Sequence, residues 1–296
     1  MSEFKKIGVF LSDCPADDAA LGFAAHFASI GNASLHCIHV RSEAPSSSPG
    51  GDPEASQFET HVRKALPPQV GERATYEVHS GTGITEVLKS ARDKDLDLVL
   101  MGRYLPSSQM GIGSRWTRLA RKCPCSVMII PDHCRPHFSR IQVSVDGSKH
   151  SHLAMAAALL LAKQSNDRNS QLVVQTVRHV DPRHDLAGAS FQESAEAQRE
   201  FGRRDLKQFL ADTNTEEANI ETIVSLSEDP AQAIVELAMV RKMDIVVVGS
   251  RGPTRTTAAI LGSTSEQVLI HCAMPVLIVK EKGETLRLLE ALFSVD

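Results

Sequence analysis

The sequence predicts an α/β protein made twice over: two tandem domains, each a five-stranded parallel sheet of order 3-2-1-4-5 with helices on both faces. Short, wholly apolar runs such as Ile245–Val248 alternate with helical patterns, and strands of that kind lie between two helical layers. The alternation breaks at a linker, Pro131–Ser139, and then starts again, giving a repeat of roughly 140 residues. Special residues recur in order at the strand ends. Asp13 answers Asp146, Gly102 answers Gly249, Gly113-Ser114 answers Gly262-Ser263, and Val127 answers Val276. The last two pairs share a spacing of 149 residues, which points to duplication beyond shared topology.

In the first half, Ile7–Ser12 is an apolar strand closed by Asp13, and Asp17–Ile30 carries small and apolar residues at helical spacing. Ser34–Val40 is the second strand. The stretch Ser42–Pro53, with four Ser, three Pro and two Gly, is a flexible loop with the composition of a lid. Glu54–Leu66 reads as a helix, Ala74–His79 as a strand, and Ile84–Lys94 as a helix entered through Gly81-Thr82-Gly83. Leu96–Met101, Trp116–Lys122 and Val127–Ile130 follow as strand, helix and strand. In the second half the strands are Ile141–Val145, Leu172–Val177, Ile220–Leu226, Ile245–Val248 and Val276–Val279. Between them lie helices at His152–Lys163, Phe191–Leu210, Ala231–Arg241 and Glu266–His271, the third capped by Asp229-Pro230. The expected domains are 1–132 and 139–281, followed by a tail helix, 282–296, whose apolar stripe packs on the second domain or a partner.

Composition narrows the function. At 296 residues the chain is long enough for two cores, and a formal net charge of −4 indicates neither a nucleic-acid footprint nor a polybasic membrane patch. No apolar run reaches the ~18 residues that span a bilayer. The start, Met1-Ser-Glu-Phe-Lys-Lys, does not read as a signal peptide, and the six cysteines lack a disulfide-scaffold spacing. A cytoplasmic protein with reduced thiols is expected.

In an open parallel sheet, ligands bind beyond the carboxyl ends of the strands, where the strand order reverses. With order 2-1-3-4-5 that crevice lies between strands one and three; with 3-2-1-4-5 it lies between one and four. Periodicity does not choose between them, but the special residues do. Asp146 ends strand one and Gly249 ends strand four, which favours 3-2-1-4-5. A carboxylate then faces a Gly-rich loop across one cleft. The carboxylate can accept from ribose hydroxyls or an adenine amino group. Glycines allow close backbone approach, and the Gly262-Ser263-Thr264-Ser265 helix start presents N–H groups and hydroxyls that suit phosphate oxygens. There is no G-x4-G-K-(S/T), so the loop is not of the Walker type.

At these residues the chain resembles the universal stress protein family, whose ATP-binding members carry an Asp ending strand one and G-x2-G-x9-G-(S/T) after strand four. The second half matches in full: Asp146-Gly147-Ser148, then Gly249-Ser250-Arg251-Gly252, nine residues Pro253–Leu261, Gly262-Ser263, and a closing Met274–Val279. The resemblance implies Rossmann-like domains of the adenine nucleotide alpha hydrolase type. It also implies that Asp146 contacts adenosine, flanked by the backbone of Val145, with Val177 beside the adenine. Gly249, Arg251 and Gly252 would line the triphosphate, and Gly262, Ser263, Thr264 and Ser265 would bind it, with or without Mg²⁺.

The first half departs from that pattern. Asp13 and Val40 are in place, but Leu105 stands where the second glycine belongs. Ten residues, Arg103–Ile112, separate Gly102 from Gly113, against twelve between Gly249 and Gly262. Arg115 and Trp116 replace the small hydroxyl residues. This half is expected not to hold ATP in the usual pose.

Other signals have ordinary explanations. Cys123, Cys125, His133, Cys134 and His137 loosely resemble a zinc site, but buried thiols beside a polar linker fit them better. Arg115, Arg118, Arg121 and Lys122 form a stripe read as a solvated face. Lys149–His152 near Asp146 reads as a helix start rather than a hydrolytic base. The fifth strands, Val127–Ile130 and Val276–Val279, are expected to meet about a pseudo-two-fold axis, an intramolecular pseudo-dimer; homodimers of whole chains are compatible but unforced. The expected function is a non-enzymatic, ATP-binding stress-response protein whose nucleotide state changes its surface for an unidentified protein partner. The alternatives are a slow ATPase or nucleotidyl transferase, and a nucleotide-free or metal-responsive scaffold.

Overall fold

A computed structural model describes residues 4–41, 53–104, 115–165, 170–179, 191–215, 218–252 and 261–283. The chain divides into two compact units. One holds the residues up to Pro136 together with the segment that begins at Lys280; the other holds His137–Val279.

The N-terminal unit runs β1 (Lys6–Leu11), α1 (Asp17–Gly31), β2 (Ser34–Arg41), α2 (Pro53–Ala65), α3 (Pro68–Gly71), β3 (Thr75–Ser80), α4 (Gly83–Asp93), β4 (Leu98–Arg103), α5 (Arg115–Lys122) and β5 (Ser126–Pro131). Its strands lie in the order β3-β2-β1-β4-β5, every neighbouring pair parallel. The C-terminal unit repeats the plan with β6 (Arg140–Ser144), α6 (Lys149–Gln164), β7 (Gln171–Arg178), α7 (Phe191–Ala211), β8 (Asn219–Leu226), α8 (Pro230–Val240), β9 (Ile245–Gly249), α9 (Ser263–His271) and β10 (Val276–Val279). Its order is β8-β7-β6-β9-β10, again all parallel. Both sheets therefore have the expected order 3-2-1-4-5. The apolar runs of β4, β5 and β10 are buried throughout, whereas the outer strands β3 and β8 are largely half-exposed.

The duplication extends to details that the sequence did not advertise. Asp95 (φ 53°) ends α4 in the left-handed region, and Lys242 (φ 51°) ends α8 in the same way. The next residue in each unit, Leu96 or Met243, donates its N–H back to Ala91 or Ala238 and is buried. After it comes a bridging aspartate. Asp97 Oδ2 accepts from the N–H groups of Lys5 and Lys6 (2.9 and 2.8 Å), and Asp244 Oδ2 accepts from that of Arg140 (2.7 Å). This turn is why β4 starts at Leu98 rather than Leu96. Helix α3 was not expected either: its Pro68-Gln-Val-Gly is too short to show a period.

The proposed lid, Ser42–Pro53, lies outside the described residues up to Asp52, as do Leu105, Gly113-Ser114 and the tail from 284 on. The sequence places Lys280 and Glu281 in the second domain and starts a tail helix at 282. In the structure Lys282 and Gly283 form a turn, and the segment packs with the N-terminal unit. Lys280 Nζ donates to the Cys123 carbonyl (2.7 Å), Lys282 Nζ reaches the Asp95 carbonyl (2.8 Å) and Asp97 Oδ1 (2.7 Å), and the Gly283 N–H meets the Pro124 carbonyl (3.1 Å).

Candidate functional site

The site of the C-terminal unit begins where β6 stops. Val145 still donates its N–H to the Gln175 carbonyl (2.8 Å), and the chain then turns. Asp146 Oδ1 accepts from the Ser148 N–H (3.0 Å), and Gly147 takes a positive φ of 79°, which glycine adopts at little cost. Ser148 caps α6: its Oγ accepts from the Ser151 N–H (3.2 Å). The same Oγ donates to the Arg251 carbonyl (3.3 Å), fastening this turn to the loop after β9. Lys149–His152 are thus the first turn of α6, as expected. The acid and the Gly-rich loop meet closely. A Cβ on Gly252 would stand 2.9 Å from Asp146 Oδ2, so any side chain there makes the carboxylate end shift.

Between them is a cavity of about 240 Å³. Val145, Val177, Pro230, Ile234 and Val248 supply an apolar wall. Asp146, Gly249, Arg251 and Gly252 border it at the ends of β6 and β9, and Gly262, Ser263, Thr264 and Ser265 border it at the start of α9. All ten residues singled out from the sequence line this one hollow. Pro230 and Ile234 were missed. Pro230 is the first residue of α8 behind the Asp229 cap, whose Oδ1 accepts from the N–H groups of Ala231 and Gln232 (2.9 and 3.1 Å). Ile234 lies one turn further on, and its spacing is that of any core residue. Buried glutamines hold α8 in position. Gln142 Nε2 donates to Gln175 Oε1 (2.8 Å) and the Ile234 carbonyl (3.0 Å), and Gln175 Nε2 donates to Ser225 Oγ (2.8 Å) and the Ala233 carbonyl (3.2 Å).

Two residues serve differently from the sequence reading. Gly249 was read as giving a ligand access to the backbone, but its absent side chain faces α6: a Cβ there would be 2.8 Å from the His150 backbone. Gly102 does the same in the N-terminal unit, 2.5 Å from the Ala16 carbonyl oxygen. Strand-end glycine is thus needed for helix–strand contact in both units. Ser265 is buried, and its Oγ donates to the Gly249 carbonyl (2.6 Å), so its proton is already engaged. Helix α9 has Gly262 at its N-cap with no side-chain cap hydrogen bond, and the Gly262 N–H donates to the Ser250 carbonyl (2.7 Å), so the helix starts at the hollow's edge.

A sequence profile described as the universal stress protein family matches residues 3–131 and again 137–280. The chain belongs to the universal stress protein family. Its relatives include a universal stress protein of Thermus aquaticus, 31% identical over 144 residues (48% of this chain, 99% of the relative). The stress response protein NhaX of Bacillus subtilis is 30% identical over 164 residues, 49% of this chain and 99% of the relative. Each corresponds to about half of this tandem universal stress protein. Among solved structures, a universal stress protein from Archaeoglobus fulgidus superposes with a TM-score of 0.66 at 18% identity, covering 92% of this chain and 98% of that one; at this identity the likeness concerns fold.

The N-terminal unit of this universal stress protein has a cleft at the same strand ends, about 450 Å³ in volume. His39, buried, presents Nδ1 to the Leu11 carbonyl (3.2 Å) and Nε2 to Asp13 Oδ2 (3.6 Å) and Glu54 Oε1 (3.9 Å). Arg41 pairs with Glu54 at 2.7 Å. Elsewhere in this unit, Cys123 and Cys125 are buried with their Sγ atoms 3.5 Å apart. Burial pushes the Cys123 thiol up, but the Cys125 hydrogen bond and the Lys280 ammonium outweigh it and lower it; Cys125 is raised in turn. Among the described residues no group of three His, Cys, Asp or Glu is placed to hold a metal ion, and no helix is long and apolar enough to cross a membrane.

Proposed function

We propose that the C-terminal unit binds one ATP per chain and that the bound nucleotide alters the protein's surface for a partner in a stress response. The reading rests on one observation: a strand-end carboxylate and a glycine in close approach to it border the same hollow as a helix start without a side-chain cap. The base lies against Val177, Pro230 and Ile234, where apolar and stacking contacts suit a purine. Asp146 accepts from the ribose hydroxyls. The phosphates take N–H groups around Gly252 and in the first turn of α9, with Ser263 Oγ as a further donor and Arg251 as countercharge. Mg²⁺, when present, arrives on the phosphate oxygens and offsets their charge.

Isothermal titration of the full chain with ATP tests this. One site per chain is expected, with affinity lowered by about tenfold or more in D146A, the usual cost of losing a charge-assisted hydrogen bond. Two equivalent sites, or unchanged affinity in D146A, would overturn the proposal.

A further inference from the structure

We infer that the cleft of the N-terminal unit is a separate binding site for a small phosphorylated polyol, a sugar phosphate without a base. The cation placement carries this. Counting from the paired Gly-Ser steps of the sequence, Gly113-Ser114 and Gly262-Ser263, Arg115 stands where the other unit has Thr264, and Arg118 where it has Gln267. Three apart on α5, both arginines fall on one helix face, and both line the cleft. Neither makes a hydrogen bond or ion pair among the described residues. The phosphate end of the cleft therefore carries two guanidinium groups where the C-terminal unit has neutral side chains. A guanidinium pair matches a phosphomonoester dianion in charge and in its fork of donors.

The opposite end is built to accept hydrogen bonds. Asp13 makes no hydrogen bond among the described residues, and its nearest basic group among them is His39 Nε2 at 3.6 Å. Glu54 borders the same space and turns one carboxylate oxygen to Arg41. Carboxylates at this end take hydroxyl donors, as sugar hydroxyls are. What a purine needs is reduced. Phe10, Val40 and Ile84 line this cleft, but where the C-terminal hollow has Pro230 and Ile234 it has Gly81, Thr82 and Gly83 at the start of α4, with Arg41 and Glu54 beside them. A ligand with an anionic head and a hydroxylated body satisfies both ends; a nucleoside triphosphate sets its base partly against charged groups.

The test is titration of the full chain with ribose 5-phosphate, with ribose and inorganic phosphate as separate probes. One ribose 5-phosphate per chain is expected, at least about tenfold tighter than either fragment. R115A/R118A, whose folding is checked by thermal melting, should weaken it by about tenfold or more, and D13N by a smaller factor. No binding, equal binding of inorganic phosphate, or indifference to R115A/R118A would overturn the inference. D146A separates the two clefts: if it abolishes ribose 5-phosphate binding, the heat came from the other hollow and the inference fails, whatever ATP does there.

Discussion

The two clefts of this chain stand on the same strand ends and differ in what faces inward. In the C-terminal hollow bordered by α9, charge is sparse: one carboxylate, one arginine, an apolar wall and backbone. In the N-terminal cleft, His39, Asp13, Glu54 and three arginines line the space. The glycines that hold helix against strand, Gly102 and Gly249, are retained in both. The difference teaches that scaffold and recognition are carried by separate residues, so duplication could keep the first while changing the second.

The greatest effect is expected from Gly252→Val. The added side chain collides with Asp146 Oδ2, and ATP affinity should fall by about 100-fold or more, near 3 kcal/mol, with ribose 5-phosphate binding untouched. Titration reads both; retained ATP affinity would show that the loop shifts freely and the close approach means little. Next come Gly249→Ala and Gly102→Ala. Each drives a Cβ into helix backbone, and denaturant melts should show each destabilised by about 1–3 kcal/mol, the range of overpacking. A neutral Gly249→Ala with lost ATP binding would return that glycine to the ligand.

The smallest effect concerns an ion pair that both units possess. Glu77 of β3 meets Lys94 at the end of α4, as Glu221 of β8 meets Arg241 at the end of α8. Burial pushes the Glu77 carboxyl up, but hydrogen bonds from Lys94 and His79 outweigh it and hold the carboxyl below its usual range. A folded value below the unfolded one, about 4.3, stabilises the fold above that pH, and the contribution fades as pH falls through the folded value. For this partly exposed group Glu77→Gln should cost under about 1 kcal/mol at pH 7 and flatten stability between pH 5 and 3 in acid melts, on the scale of surface pairs. An unchanged acid limb would assign the acid sensitivity elsewhere.

Much of this was legible because strands buried on both faces write themselves as unbroken apolar runs, and because Asp146 and Gly249 mark the ends of neighbouring strands. That juxtaposition favours the strand order, and the family resemblance supplies the ten cavity residues. What escaped has physical reasons. Ile234 looks like core because its other neighbours are core. Leu96 reads as strand because it is apolar, although with Asp95 it closes a helix end. Gly249 was assigned to a ligand because a sequence shows that a side chain is missing, not which way it would have pointed. Arg115 and Arg118 were read as a solvated stripe because helical spacing says nothing about the cleft in front of the helix.

The docking of Lys280 and Lys282 has a consequence for synthesis. A ribosome delivers Asp95, Asp97 and the Cys123 carbonyl long before it delivers the two ammonium groups that settle on them. The half of the protein translated first is therefore finished last, by a clasp that arrives only after the other half has emerged.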